Sequence, residues 1–473
     1  MTTSDRPNVL RAGGALIDIT PNAGTHLGGT WGVLRDARTV AEPLYTRALV
    51  LESHTRKLCI VQPDLEIATL PWTQKIRQGI EHRCGIAPDD IMVHLPQSHS
   101  TPPLGNFVID EALPNIPPEL EYLRGSQSEY CEYAVGKILS CVEAADKALH
   151  PVQLGAGRAV RDDLAFNRRG VTRDGGIVMP GQFSRASRPL GPTDIAFLEG
   201  PTDPEVGMVC LRNEKMKMSA MLLHFTCHPV NVFATQHYTV SPDWPGVWCA
   251  GMQEECGETC VPLVLNGCCG NINPWPAFHA DFVPDHRRMG RALAETSRHI
   301  LSALTFEEEA TLDARVKLVP LPLKKADSAD RAAAEKLLAE HPEPRWDEDS
   351  TPRRVNADWM DAAMLMSVEL ERERSPELAY EIQVMRIGDI ALVGLPGEPF
   401  VEGQLEIKVR SPFPYTFVAH NTTDFAGYIA PRHSYPRGGH EIRNKPAKWA
   451  KVEPGCLEKI VEEAVRLLDE IGT

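Results

Sequence analysis

The sequence predicts an α/β protein built of mixed open sheets flanked by helices, with polar residues at the C-terminal ends of strands. Two observations carry that expectation. Apolar runs of strand length recur with helical stretches between them, and several of the runs end in turns that hold histidine, glutamate or asparagine. Open α/β sheets bind their ligands beyond the carboxyl ends of strands.

Strands are expected at "GGALIDITP", "LYTRALVLES" and "KLCIVQPDLEIA", then a helix at "WTQKIRQGIEHRCG" with a glycine stop, and a strand again at "DDIMVHLPQSHS". Residues 130–150 form an amphipathic helix, and "VQLGAGRAVRDDLAFNRRG" returns as extended chain ending in a basic loop. The order repeats further on. "SAMLLHFTCHPV" is an apolar strand ending in His228, "DWPGVWCAGMQEECG" a helix and "CVPLVLNGCCGNINPW" a strand running into a glycine-rich turn. Asp243 is placed to cap that helix, with Pro245 in its first turn. A charged helical stretch at about 324–378 reads as a solvated insertion or lid. "YEIQVMRIGDIALVGLPGEPF" is a hairpin with a Gly-Asp turn, and an amphipathic helix over 453–471 closes the chain. Without repeats or a low-complexity linker, 1–473 is expected to be a single domain.

With 473 residues, 42% of them hydrophobic, the chain can bury a large core. Its formal net charge of −15 argues against a grip on nucleic acid or anionic lipid and favours a small polar partner; a homo-oligomer remains compatible. The opening "MTTSDRPNVLRAGG" lacks an apolar segment behind a basic start, and no run reaches bilayer length, so a cytoplasmic protein is expected. Twelve scattered cysteines, among them Cys256, Cys260 and the adjacent Cys268 and Cys269, show no CxxC spacing and read as reduced and structural.

Four segments share one form, an apolar strand followed by a turn with a metal-type or nucleophile-type residue: "LPQSHSTPP", "HFTCHPVNV", "LNGCCGNINP" and "GLPGEPF". Imidazole and carboxylate ligands suit zinc and similar ions. A strand-end histidine standing alone is more often a hydrogen-bonded structural residue, and His94, inside its strand, is read that way. Glu398 alone would pass for a surface carboxylate and Tyr428 for core. Of Arg168 and Arg169, one is expected to be merely solvated.

Together with "DFAGYIAPRHSYPRGGHE", "ALIDITP", "EPLYTRALVL", "AFNRRG" and "SPDWPG", these segments resemble the neutral/alkaline non-lysosomal ceramidase N-terminal domain family, in order and over about nine tenths of the chain. The resemblance is to the ceramidase-like catalytic domain alone. It implies a zinc ion held by two histidines, a glutamate and a tyrosine. His228 matches one histidine, Glu398 the glutamate and Tyr428 the tyrosine, with Phe425 the other residue near that column. The first histidine of the family's "THTHSGP" becomes Gln97, while His99 matches the second. The serine of "GDVSPN", which attacks the amide carbonyl, becomes Asn273. The chain is thus similar to a divergent member, not to a true ceramidase.

What remains implies a metal-dependent hydrolase of a small polar amide or ester, sugar-like or amino-acid-derived, using a metal-activated water in place of the serine. One Zn²⁺, or Mn²⁺ or Mg²⁺ if Gln97 weakens the zinc site, would sit on His228, Glu398 and Tyr428, with His99 as a fourth ligand or as proton carrier. His99 suits the latter because an imidazole titrates near the working pH. Asn273 and backbone amides of "GCCGN", with Gly270 and Asn271, would face a developing oxyanion. Arg168 would clamp a carboxylate or hydroxyls, and Gln97 and His440 would touch the substrate. His26, His237 and His433 are weaker pocket candidates. The alternatives are a lyase or isomerase acting on a keto-sugar, and a binding protein that has lost its metal.

Overall fold

The computed structural model describes residues 9–472 apart from 55, 114–115, 181–194 and 280–281; residues 1–8, read above for a leader, lie outside it. An eight-stranded sheet runs in the order Val261–Asn266, Met218–Phe225, Glu205–Asn213, His150–Val160, Arg11–Asp18, Tyr45–Glu52, Lys57–Pro63, Ile91–Val93. At each edge a strand lies parallel to its neighbour, and the inner pairs are antiparallel. The two halves join through only two residue pairs, Arg11 with Pro151 and Ala12 with His150. A four-stranded sheet, Leu312–Pro322, Glu377–Ile387, Ile390–Gly394 and Tyr415–Ala419, again ends in a parallel pair.

Side-chain alternation stacks these layers. Along Tyr45–Glu52, Leu49 and Leu51 enter a core shared with Met385, Leu392 and Phe417 of the smaller sheet, while Ala48 and Val50 pack under helices Leu70–Cys84 and Ser128–Lys147. Strands buried on both faces have no polar side, which is why their sequences are nearly continuous apolar runs. Helices Asp243–Cys256 and His286–Ala303 cover the other half of the large sheet. Helix Cys456–Gly472 covers the small one, as the C-terminal apolar periodicity predicts. The expected glycine stop is Gly85, at φ 68°, and the hairpin turns at Gly388, at φ 62°.

The charged stretch departs from its reading as a solvated insertion. Its first helix, Ser328–Glu340, is solvated, with Arg331 paired to Glu335 and Glu373. Its second, Ala357–Arg374, buries Trp359, Met360, Ala363 and Met364 against Ile67, Val108, Phe425 and Trp449. Four apolar side chains among the charges bury one face of it, and Met364 lines the central cavity. Among the described residues no helix is long and apolar enough to cross a membrane.

Candidate functional site

The chain leaving the carboxyl ends of six strands, all members of parallel pairs, converges on one cavity of about 600 Å³. These exits bring Glu66, Gln97, His99, Asn273, Glu398 and Tyr428 to its lining. Two fully buried residues lash the exits together. His94 takes the Asn266 N–H on Nε2 at 3.0 Å and meets the His420 carbonyl through Nδ1 at 2.7 Å. Asn266 in turn donates from Nδ2 to the carbonyls of Pro96 and Cys227. His94 is therefore a satisfied core histidine, as its place inside the strand suggests. Three non-glycine residues at these exits, Gln97, Asn421 and Thr423, hold positive φ, a strained backbone that closely packed surroundings must impose.

His228, fully buried, meets Glu398 of the lining. The imidazole Nδ1 lies 3.0 Å from the Ile272 carbonyl, which can only accept, so the proton sits on Nδ1 and the Nε2 lone pair points at Glu398 Oε2, 3.0 Å away. Two Lewis bases at that distance call for a cation, either a proton or a metal ion. Tyr428 stands beside Glu398 across a short parallel ladder. Burial first, then the charge of Glu398, holds its phenol pKa well above 10. His99 has its ring centre 5.6 Å from that of His228 and its Nε2 unpartnered. Among the described residues no three His, Cys, Asp or Glu side chains are arranged as a metal cluster, so His99 is not drawn in beside His228 and Glu398 as a formed fourth ligand. It also does not titrate near neutrality as expected: burial, then His228 and Arg168, drive its pKa well below 6.5. Gln97 is buried in the lining with its amide oxygen 3.9 Å from Cys269 Sγ.

Arg168 lies between Glu441, bonded to its Nε at 2.7 Å, and Asn273, whose Oδ1 accepts from Nη1 at 3.3 Å. Burial alone would lower the Arg168 pKa; Tyr428 and Glu441 reverse that. Arg169 corrects the expectation that one of the pair is solvated. It is fully buried, bound to Glu199, to Glu441 Oε2 at 2.8 Å and to the Gly438 carbonyl. One carboxylate holds two guanidiniums, and they keep Glu441 ionised down to about 2 despite its burial.

Gly270 and Asn271 do not face the cavity as substrate-binding residues. The Gly270 N–H donates to the Pro399 carbonyl, and the Asn271 side chain is engaged by Val401 N and Glu402. They fix the turn that carries Glu398. Asp243 is not the expected cap: Pro242 holds the N-cap position without a side-chain cap bond, and Asp243, the first helical residue, accepts from Trp244 N and reaches across to Val232 N at 2.8 Å. His237 and His440 line the cavity; His26 is buried outside the lining and His433 is exposed.

Sequence reasoning missed Glu66, Trp31, Trp449 and Trp275, all in the lining. Glu66 follows the strand Lys57–Pro63, so the strand-exit rule that singled out His228 applies to it equally. Its Oε1 accepts the Gly29 N–H and its Oε2 has no partner. Burial raises its carboxyl to about 8; Gly29 and Arg35 oppose the rise and Glu398 adds to it.

No family model matches the sequence, and no curated protein matches it. Solved structures do. The neutral ceramidase from Pseudomonas aeruginosa superposes with a TM-score of 0.70 at 16% identity, over 98% of this chain and 75% of that one. A ceramidase complexed with C2 gives 0.68 at 16%, over 98% and 76%. The chain therefore has the ceramidase fold, in a divergent form.

Proposed function

We propose that this chain is a metal-dependent hydrolase acting on a small polar amide or ester. The observation that carries the reading is the approach of two Lewis bases, His228 Nε2 and Glu398 Oε2, the carboxylate lining the cavity and the imidazole fully buried beside it. His228, Glu398 and Tyr428 would hold the ion, an imidazole, carboxylate and phenol set that suits Zn²⁺ or Mn²⁺. A bound divalent ion supplies Lewis acidity and a water acidic enough to be deprotonated near neutrality. Around it, the protein positions the substrate. Arg168, braced by Glu441, orients a carbonyl or carboxylate oxygen. Asn273 is an amide and cannot attack, but its Nδ2, whose nearest partner is Met179 Sδ at 3.9 Å, is available to a developing oxyanion. His99, kept neutral by its burial, offers its unpartnered Nε2 to a hydrogen bond with the substrate. The cysteines are all free thiols, which suits a reducing compartment, and we assign the protein to the cytoplasm.

The test joins metal analysis of the purified protein to turnover of an amide and ester panel in H₂¹⁸O. Close to one equivalent of metal, lost in His228→Ala, with label entering product at each turnover, is the expected result. Turnover without label would move the reaction to elimination or isomerisation. Below about a tenth of an equivalent, with no uptake of added Zn²⁺ or Mn²⁺, the cation between His228 and Glu398 is a proton and the hydrolase reading fails.

A further inference from the structure

Four buried polar atoms without a protein partner belong to residues lining this one cavity: Glu66 Oε2, His99 Nε2, Arg168 Nη2 and Trp275 Nε1. They come from four separate segments of the chain. Each buried polar group left unsatisfied costs about 1–3 kcal/mol, so a cluster of them marks where a polar ligand makes its bonds. The same cavity is bordered by a stack of aromatic rings. Trp31 and Trp449 stack with ring centres 4.3 Å apart, and His440 lies nearly parallel to both, at 8° and 16° and 6.3 Å. His440 is the exposed member of the three.

The segment "HLGGTW" is bare where it passes between these features. A β-carbon on Gly28 would fall 1.5 Å from Glu66 Oε2, and one on Gly29 would fall 2.8 Å from His99 Cβ. Glycine at both positions lets the backbone bind Glu66 through Oε1 while its second oxygen stays open. Glu66 is thus held in place rather than stranded.

We propose that the cavity binds a pyranose-type sugar derivative, its apolar ring face packed on the Trp31, Trp449 and His440 stack and its hydroxyls bonded to Glu66, Arg168 and Trp275. A sugar ring is amphipathic in the required way, with C–H groups on its faces and hydroxyls at its edge. A lipid chain would leave all four polar atoms unpaired. The assignment rests on the hydrolase reading only for the acyl group such a sugar would carry.

Binding tests it without turnover. The whole protein is titrated by calorimetry with N-acetylglucosamine, N-acetylgalactosamine, N-acetylmannosamine and glucuronate, and with N-acetylethanolamine as a ringless amide. At least one pyranose is expected to bind with a Kd below about 10 mM and about tenfold tighter than the ringless amide, a difference of ~1.4 kcal/mol. Trp31→Leu and Glu66→Ala should each weaken it about tenfold, and Glu66→Gln, which keeps a hydrogen-bonding oxygen and guards against misfolding of the alanine variant, should weaken it less. Pyranoses that bind no tighter than N-acetylethanolamine, or a Kd unmoved by Trp31→Leu and Glu66→Gln together, overturn the proposal. Binding of an N-acetylated pyranose whose amide is not hydrolysed supports it and counts against the hydrolase reading; cleavage of N-acetylethanolamine without pyranose binding does the reverse.

Discussion

Glu398 and Tyr428 are register partners in a two-residue parallel ladder whose other pair is Pro399 and Ile429. The ladder is pinned on both sides, by Glu398 N to the Gly427 carbonyl and Tyr428 N to the Trp449 carbonyl. Register partners send side chains to the same face, so the phenol is presented where the carboxylate is. Tyr428→Phe keeps the ring packing and removes one oxygen. It should lower Zn²⁺ affinity about tenfold, ~1.4 kcal/mol, with the melting temperature of the metal-free protein nearly unchanged. Chelator competition measures the first and a thermal scan the second; unaltered affinity would remove Tyr428 from the ligand set.

Gln97 occupies the slot in which the resemblance expects a histidine. Its backbone is left-handed at φ 72°, a conformation histidine enters more readily than most side chains. Gln97→His should therefore fold and should tighten Zn²⁺ by about tenfold or more, since imidazole is the better zinc ligand. Should affinity stay level or fall, the Gln97 side chain does not approach the metal position.

Most of the fold is readable because alternation and helical period are local properties of the chain. The strands at 45–52 and 218–225, the helix stop at Gly85 and the hairpin at Gly388 all follow from neighbours a few residues apart. His228 and Glu398 are readable for a related reason, since both follow apolar strands. The rest depends on partners far away in sequence. Arg169 looks solvated beside Arg168 until Glu441, 272 residues on, is seen to hold them both. Glu66 looks like an ordinary acid in "PDLEIA" until Gly28 and Gly29 close on it, and nothing near Trp31 announces Trp449. Asn271, singled out for the site, is taken up by Val401 and Glu402 instead.

Glu441 bridges two guanidiniums that are at least nineteen-twentieths buried, Arg168 at 5% exposure and Arg169 at 0%. Breaking a buried ion pair by removing one partner costs about 3–5 kcal/mol, because the charge left behind has no water. Glu441→Gln should lower the unfolding free energy from urea titration by that order and also weaken substrate binding, since Arg168 loses its brace. A variant as stable as the parent would mean that Glu199 and the Gly438 carbonyl suffice for Arg169, and Asn273 and the Tyr428 ring for Arg168.

His94 separates structural from catalytic histidines. Replacing it by alanine strands the Asn266 N–H and the His420 carbonyl in a dry core, at a cost on the order of 3 kcal/mol. Denaturant unfolding of His94→Ala should show a lower midpoint at constant slope, while His99→Ala should change stability by far less and turnover by far more. The reverse order would exchange the roles assigned to them.

Glu42 and His286 set a pH window for stability away from the cavity. Burial alone would raise the Glu42 carboxyl, but hydrogen bonds from His286, Ser241 and Arg287 hold it at about 2 against an ordinary 4.5. Burial likewise would lower His286; the bond to Glu42 and the charge of Asp243 lift it above 6.5, with Arg287 opposing. The depressed acid contributes stability that is full above 4.5 and disappears as the pH falls through about 2. The raised base contributes stability that is full below 6.5 and disappears as the pH climbs through its folded value. Between 4.5 and 6.5 both contributions are present, so the melting temperature lost in Glu42→Gln should be greatest there and should shrink on either side. Thermal scans of the two proteins from pH 3 to about pH 9 decide the point. A difference that is flat across that range would show that Glu42 contributes packing and not charge.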